Sequence, residues 1–439
     1  MMNRAVGGCV LTLSCGLVST RNSPSSCQQS QDDTKEYDVC VIGAGIIGMT
    51  TAERMTRAGL KVCVIDRHGH AAAETSFVSS GQLEPVRVNH MVEYADPTAL
   101  GMKGILSIVT GFPRWTLNYL NYERKMKVTP GLSEQMTADI HRLGAMGMKE
   151  AKFWESSLGQ TIFRFGRSSI THKCAFPMDP ADPSFLSQKD PENGDDSTNN
   201  VVSFRPHEIA SGSPYDLCQA LEKLCVKRGA VFKYNTEFKG FSSANADVKT
   251  GGGNSSTVTS IDTSAGTVKA KKYVFCTGMN TDRFFPMLPM WGVIREYAFN
   301  SKAKGLFGSS DIIMSTLPKP APGQQSYVVV IENKDKSRTL RLGGGAEVCA
   351  TKPDLSVFAP ILDRVGGHGK PLRDWIGCRA VSPDGAPIIG LMPDFSNVYV
   401  NCGQSFWGWT LSFGSAEVLS DHMVHGKPLP KSFNPSRFI

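Results

Sequence analysis

The stretch YDVCVIGAGIIGMTTAERMTRAGLKVCVIDR, residues 37–67, decides the architecture of this chain. An apolar run of strand length, Tyr37–Ile42, meets Gly43-Ala44-Gly45-Ile46-Ile47-Gly48, after which the pattern is helical to about Ala58. Gly59 ends that helix, and a second apolar strand, Lys61–Ile65, ends in Asp66. A lone GxGxxG carries little weight in a chain with 43 glycines. Here a strand precedes it, a helix follows it, and an acid stands 18 residues beyond the last glycine, which completes a βαβ dinucleotide unit. Gly43 permits the sharp turn, Gly45 lets the backbone approach a pyrophosphate that a Cβ would block, and Gly48 lets the helix pack close to the strand. The helix start then offers unbonded N–H groups and partial positive charge to phosphates. Asp66 is placed to accept hydrogen bonds from the ribose hydroxyls of an adenosine, and its charge disfavours a 2′-phosphate.

Outward from this unit, Val92 to about Gly159 reads as mostly helical, and Ala181–Asn200 reads as a polar surface loop. Ser213–Gly229 is an amphipathic helix with Leu217, Leu221, Leu224 and Cys225 on its apolar side. Two short strands follow, then a second loop rich in Ser, Gly and Thr, Ser242–Thr257. Lys272–Gly278 reads as a buried strand, and Met290–Glu347 as several strands, with SYVVVIEN and RTLRLGGGAEV an antiparallel pair. The last segment runs turn, strand (NVYVNCG) and helix (Leu411–Val424). The expected fold is therefore α/β, a discontinuous Rossmann-like domain plus an α+β substrate domain with a mixed or antiparallel sheet. The boundaries are 36–90, 206–286 and 366–439 for the dinucleotide domain, 91–205 and 287–365 for the second, with 1–35 a targeting segment.

A chain of 439 residues exceeds what one core supports. Hydrophobic residues at 41% and charged residues at 20% exclude wholesale disorder. The net charge of +7 is scattered without runs, which argues against nucleic-acid binding but leaves peripheral contact with an anionic membrane open. The 12 cysteines include no CxxC pair and no zinc-ligand spacing; Cys40, Cys63 and Cys276 sit in strand-like runs, and Cys218 and Cys225 share a helix face, as buried hydrophobes do. No acid precedes Asp32, and the apolar stretch Ala5–Val18 is short of the roughly 20 residues a span needs. The segment reads as a mitochondrial presequence, with a secretory signal as the alternative. The methionines around residues 136–148 fit core packing on a helix, with a membrane-facing surface as the alternative. His422 and His425 read as a solvated helix end, and no metal site is expected.

Four stretches resemble the D-amino acid oxidase/dehydrogenase superfamily of FAD-dependent oxidoreductases, most closely the D-amino acid dehydrogenase branch. They are the βαβ unit, ETSFVSSGQLEP (Glu74–Pro85), the YVFCTG strand, and WIGCRAVSPDGAPIIG (Trp375–Gly390) followed by NCGQSFWGWTLSFGSAEVLSD. The resemblance covers about Tyr37 to Pro430. It implies FAD, held by Gly43, Ala44, Gly45, Ile46, Ile47, Gly48, Asp66 and Arg67. It also implies contacts from Thr75, Ser76, Ser79, Ser80, Gly81, Gln82, Phe238, Thr277, Gly278, Gly403, Gly408, Trp409 and Thr410. Arg379, in the family's G-x-R motif, would grip a substrate carboxylate through its planar fork. Tyr297 is a candidate second donor to that carboxylate, and Arg295 a weaker one. The helix expected near Leu411 would stabilise negative charge on the flavin, and Trp407 and Trp409 either wall the flavin or pack the domain seam.

The implied reaction is oxidation of a D-amino acid by hydride transfer to flavin N5, the imino acid then hydrolysing to a keto acid and ammonia. The alternatives are a sarcosine- or glycine-type amine oxidase of the same superfamily and a catalytically silent FAD-bound scaffold. A quinone or another electron-transfer acceptor would take up the electrons. Three positions depart from the dehydrogenase pattern: Ala380 replaces Pro, Gln404 replaces His and Ser79 replaces Asn. Cys378 lies near where related amine oxidases attach flavin covalently but is shifted by one position, so non-covalent FAD is expected.

Overall fold

A computed structural model describes residues 36–85, 101–158, 162–165, 168–171, 201–204, 210–250, 253–298, 326–332, 337–362 and 370–438. The loop expected at 181–200 and the segment 1–35 lie outside them. The opening run forms strand β1 (Glu36–Ile42), followed by helix α1 (Ile46–Arg57) and strand β2 (Val62–Ile65). Val39 and Val41 of β1 enter one core cluster while Cys40 and Ile42 enter another. A strand alternates its side chains between faces, so an unbroken apolar run requires a sheet covered on both sides.

A short strand β3 (Gln82–Leu83) precedes three helices, α2 (Gly101–Gly111), α3 (Pro113–Val128) and α4 (Leu132–Ser157). Met136 and Met148 on α4 are buried, so the methionines there pack inward and do not form a membrane-facing surface. Strands β4 (Phe163–Phe165), β5 (Ser168–Thr171), β6 (Val201–Phe204) and β7 (Ala210–Gly212) lead to α5 (Pro214–Lys227). Ser213 caps α5, its side chain accepting from the Asp216 N–H at 3.2 Å. Then come β8 (Val231–Lys233), β9 (Phe238–Thr250), β10 (Gly253–Thr263) and β11 (Gly266–Phe275). The second sheet uses β12 (Leu288–Ala298), β13 (Ser326–Glu332), β14 (Arg338–Val348) and β15 (Arg373–Val381). β16 (Ile388–Leu391), β17 (Val398–Cys402) and α6 (Gly408–His425) complete the chain.

The main sheet runs β16-β17-β11-β1-β2-β8, with β17, β11, β1, β2 and β8 parallel and β16 antiparallel at the edge. The β9–β10 hairpin pairs onto β11. The second sheet, β13-β14-β12-β15, is antiparallel throughout, as SYVVVIEN and RTLRLGGGAEV predicted.

Three expectations are corrected. Ser242–Thr257 is not a loop: strands β9 and β10 run through it and pair with each other there, a cross-strand pairing that composition cannot reveal. Helix α6 starts at Gly408, not Leu411. Residues 373–381, placed with the dinucleotide domain, form β15 of the second sheet, paired to β12 over nine residues from Leu288↔Val381 to Glu296↔Arg373.

Candidate active site

The sheet continues in sequence from β1 to β2 on one side and from β11 to β17 on the other, so a crevice opens at the carboxyl ends of the adjacent strands β1 and β11. The groove there holds about 1200 Å3 of empty space, part of it open to solvent. Gly43, Gly45, Ile46, Ile47, Asp66, Arg67, Thr75, Ser76, Phe238, Thr277, Gly278, Arg379, Gly403 and Gly408 all line it. Residues up to 365 positions apart in sequence thus converge on one wall.

The glycine turn is built as its spacing predicts. Gly43 has φ +104, and a Cβ there would lie 2.5 Å from the Cys276 carbonyl oxygen. A Cβ on Gly48 would lie 1.8 Å from the Gly43 oxygen, so only glycine lets α1 rise this close to the turn. Asp66 accepts from the Ala44 N–H at 2.7 Å and the His68 N–H at 2.8 Å, which fixes its carboxylate at the end of β2. Ser76 accepts from the Ile46 N–H at 2.8 Å. The N–H groups of Ile47 and Gly48 have no preceding helical carbonyl to bond, and α1 carries no acid in its first turn. A dinucleotide diphosphate fits this cradle, and the Asp66 carboxylate fits its ribose.

The loop after Asp66 fastens the groove to the second sheet. Arg67 and His68 both reach Glu74, the latter at 2.6 Å. Burial raises the Glu74 carboxyl, but these two bases outweigh it and hold it below the usual glutamate range. Thr75 donates to the Cys378 carbonyl at 2.7 Å, and Phe77 meets Trp375 edge-on at 5.2 Å. These contacts bring β15, and with it Arg379, to the groove. The Arg379 guanidinium donates to the Gly345 carbonyl at 3.0 Å and stands 5.0 Å from the Phe406 ring centroid. It lies over Gly292, where a Cβ would be 2.5 Å from Nη1.

Several expected residues stand elsewhere. Tyr297 is buried in a cluster with Val293, Leu340 and Phe358. Strand alternation puts it on the sheet face opposite to Met290 and Gly292, beside which Arg379 lies. Tyr297 is therefore not brought to the groove. Arg295 pairs with Asp374 through two bonds of 2.6 and 2.9 Å, a structural ion pair on that opposite face. Trp409 stacks on Phe163 at 5.4 Å and packs the seam, while Trp407 is buried beside it in the same core cluster. Thr410 accepts from the Glu84 N–H at 3.1 Å. Ser79, Ser80, Gly81 and Gln82 are not among the residues that line the groove: Gly81 accepts from the Gly212 N–H, and Gln82 pairs with Ser211. Ala44 and Gly48 support the turn from within.

The groove also contains Asn280, Arg283, Asn401 and Ser405, which no motif flagged, together with Gln404 and Cys378. Asn280 and Arg283 enter from the 3₁₀ turn Gly278–Arg283, and Arg283 lies 5.4 Å from the Phe238 ring centroid. Gln404 donates to Asn401 at 2.7 Å, and Asn401 donates to Thr51 on α1 at 3.2 Å, a chain joining the two ends of the site. Ser405 adopts φ +50, a conformation rare outside glycine. Cys378 lines the groove, and burial pushes its thiol up to about 12.

The sequence matches the family described as DAO, FAD dependent oxidoreductase, over residues 38–422. Among solved structures, the fold is similar to L-proline dehydrogenase from P. horikoshii, with TM-score 0.63 and 16% identity over 92% of this chain and 98% of that one. L-amino acid deaminase from Proteus vulgaris gives 0.59 and 19% over 92% and 94%. Glycine oxidase from Bacillus cereus gives 0.57 and 16% over 90% and 96%. At such identities the likeness is one of fold.

Proposed function

This chain belongs to the DAO family of FAD-dependent oxidoreductases, and from that premise we propose that it oxidises a small D-amino acid to the imino acid, which hydrolyses to a keto acid and ammonia. The observation that carries the reading is Arg379 at the groove wall, cradled on Gly292 and Gly345. A guanidinium offers two parallel donors to a carboxylate, which makes an amine-bearing acid the favoured substrate class. Proteins of this fold named for proline, L-amino acid and glycine chemistry support that class. The D configuration rests on the resemblance of residues 375–390 and 401–421 to D-amino acid dehydrogenases.

FAD, when bound, supplies the two-electron acceptor for the substrate carbon. The protein's own share is placement. The start of α1 and Asp66 would hold the diphosphate and adenosine ribose, and Arg379 would fix the carboxylate so that one C–H faces the cofactor. The start of α6, with Gly403, Gln404 and Ser405 before it, would turn N–H groups and helix dipole toward developing negative charge. No side-chain base is required if the amine binds neutral. A quinone or another electron-transfer acceptor completes the cycle.

The test is anaerobic mixing of the yellow holoprotein with both enantiomers of alanine and proline, with glycine, and with sarcosine. Bleaching of the flavin band, fastest with a D-amino acid, is expected. Bleaching confined to glycine or sarcosine would replace the substrate with an N-methylglycine-type amine. A flavin that no member reduces would leave a silent scaffold.

A further inference from the structure

We propose that the paired helices α2 and α3 form a docking face for an anionic lipid bilayer. Of the eleven exposed large apolar side chains among the described residues, six belong to these two helices: Met102, Leu106, Val109, Leu117, Leu120 and Val128. The others are scattered singly, as is normal on any surface. The spacing is helical. Met102, Leu106 and Val109 fall on one side of α2, and Leu117, Leu120 and Val128 on one side of α3.

Both helices bury the opposite side against the second sheet. Ile108 and Trp115 share a cluster with Leu288, Met290 and Val381. Trp115 donates to the Val381 carbonyl at 2.9 Å, and Ser107 to the Val348 carbonyl at 3.1 Å. The apolar faces are thus held outward on a rigid support.

Charge selects the occupant. On α3 the apolar stripe carries Arg124 at its centre and Lys125 and Lys127 on its flanks, all exposed. Glu123 is the only acid of that helix. An apolar face flanked by Lys and Arg is the pattern of a helix lying in the headgroup plane, its stripe in the acyl boundary and its cations on lipid phosphates. A second copy of the chain would bring the same cations face to face, which opposes self-association. No helix among the described residues is long and apolar enough to cross a membrane.

The experiment is sedimentation of the full-length, flavin-loaded protein with phosphatidylcholine vesicles, with and without phosphatidylserine, at low and high salt. Binding to the anionic vesicles at low salt, released by salt, is expected. Leu117→Ser with Leu120→Ser should weaken it about tenfold or more, and Arg124→Glu with Lys127→Glu should lower it to the level of neutral vesicles. Both variants change exposed side chains outside the groove, so the flavin spectrum and its reduction by amino acid should match the parent. Equal binding to neutral and anionic vesicles, or unaltered binding by both variants, would overturn the proposal. So would a parent dimer, seen by light scattering, that the leucine substitutions split, since a second copy would then cover the face.

Discussion

At Gly292 the absence of a side chain is what leaves room for the Arg379 guanidinium. A Cβ there would stand 2.5 and 2.7 Å from its two terminal nitrogens and 2.8 Å from the Gly344 oxygen. Gly292→Ala should therefore raise KM for the amino acid about tenfold with FAD still bound, and Arg379→Leu should raise it further, roughly a hundredfold, because a charged hydrogen-bond pair is lost. Unchanged steady-state kinetics in Arg379→Leu would remove that residue from the site. At Cys378, burial pushes the thiol up to about 12, so at neutral pH the nucleophilic thiolate is scarce. Acid precipitation should release yellow flavin into the supernatant, and Cys378→Ser should retain the parent's flavin content. A yellow pellet under a colourless supernatant would instead establish a covalent link. Arg379 was singled out by its motif, and the fold brings it to the groove. Tyr297 was misplaced because the face a strand residue occupies depends on the register of its sheet, and here Tyr297 and Gly292 fall on opposite sides.

The βαβ element holds together through an approach that only glycine allows. A Cβ on Gly48 would sit 1.8 Å from the Gly43 oxygen, itself part of the turn that faces the groove. Gly48→Ala should push α1 off β1, costing about 1–3 kcal/mol as overpacking does, and should yield protein that purifies with little flavin. Thermal melting and the visible spectrum of the purified variant check both outcomes. This element was fully legible, since its glycines, apolar runs and acid lie within thirty-one contiguous residues. The β9–β10 hairpin was not. Ser, Gly and Thr are abundant in loops, and they form strands here because β9 and β10 pair with each other, with the end of β10 joined to β11.

Across the molecule, one buried carboxylate couples the second sheet to the loop beside the groove. Glu296, 1% exposed, accepts from Arg341 at 2.7 Å and from Arg373 at 2.8 Å, and Arg341 also donates to the Ser79 carbonyl at 2.9 Å. Glu296→Gln leaves Arg341 buried against a neutral amide. It should lower stability by about 3 kcal/mol, the low end for breaking a buried pair because Arg373 is half exposed. Chemical denaturation would read the loss, and faster FAD release would read the loosened loop. An unshifted midpoint would mean that desolvation cancels the attraction. The sequence by itself determined the dinucleotide turn, the amphipathic α5, the antiparallel pairing of β13 with β14 and the family, because each is written in hydrogen-bonding periodicity or side-chain chemistry over a short span. Only the tertiary structure decided that β15 belongs to the second sheet, that Arg379 reaches the groove while Tyr297 does not, and that α2 and α3 leave an apolar face outside. Those outcomes depend on pairing and packing between residues tens to hundreds of positions apart, where competition among partners, not local preference, sets the arrangement.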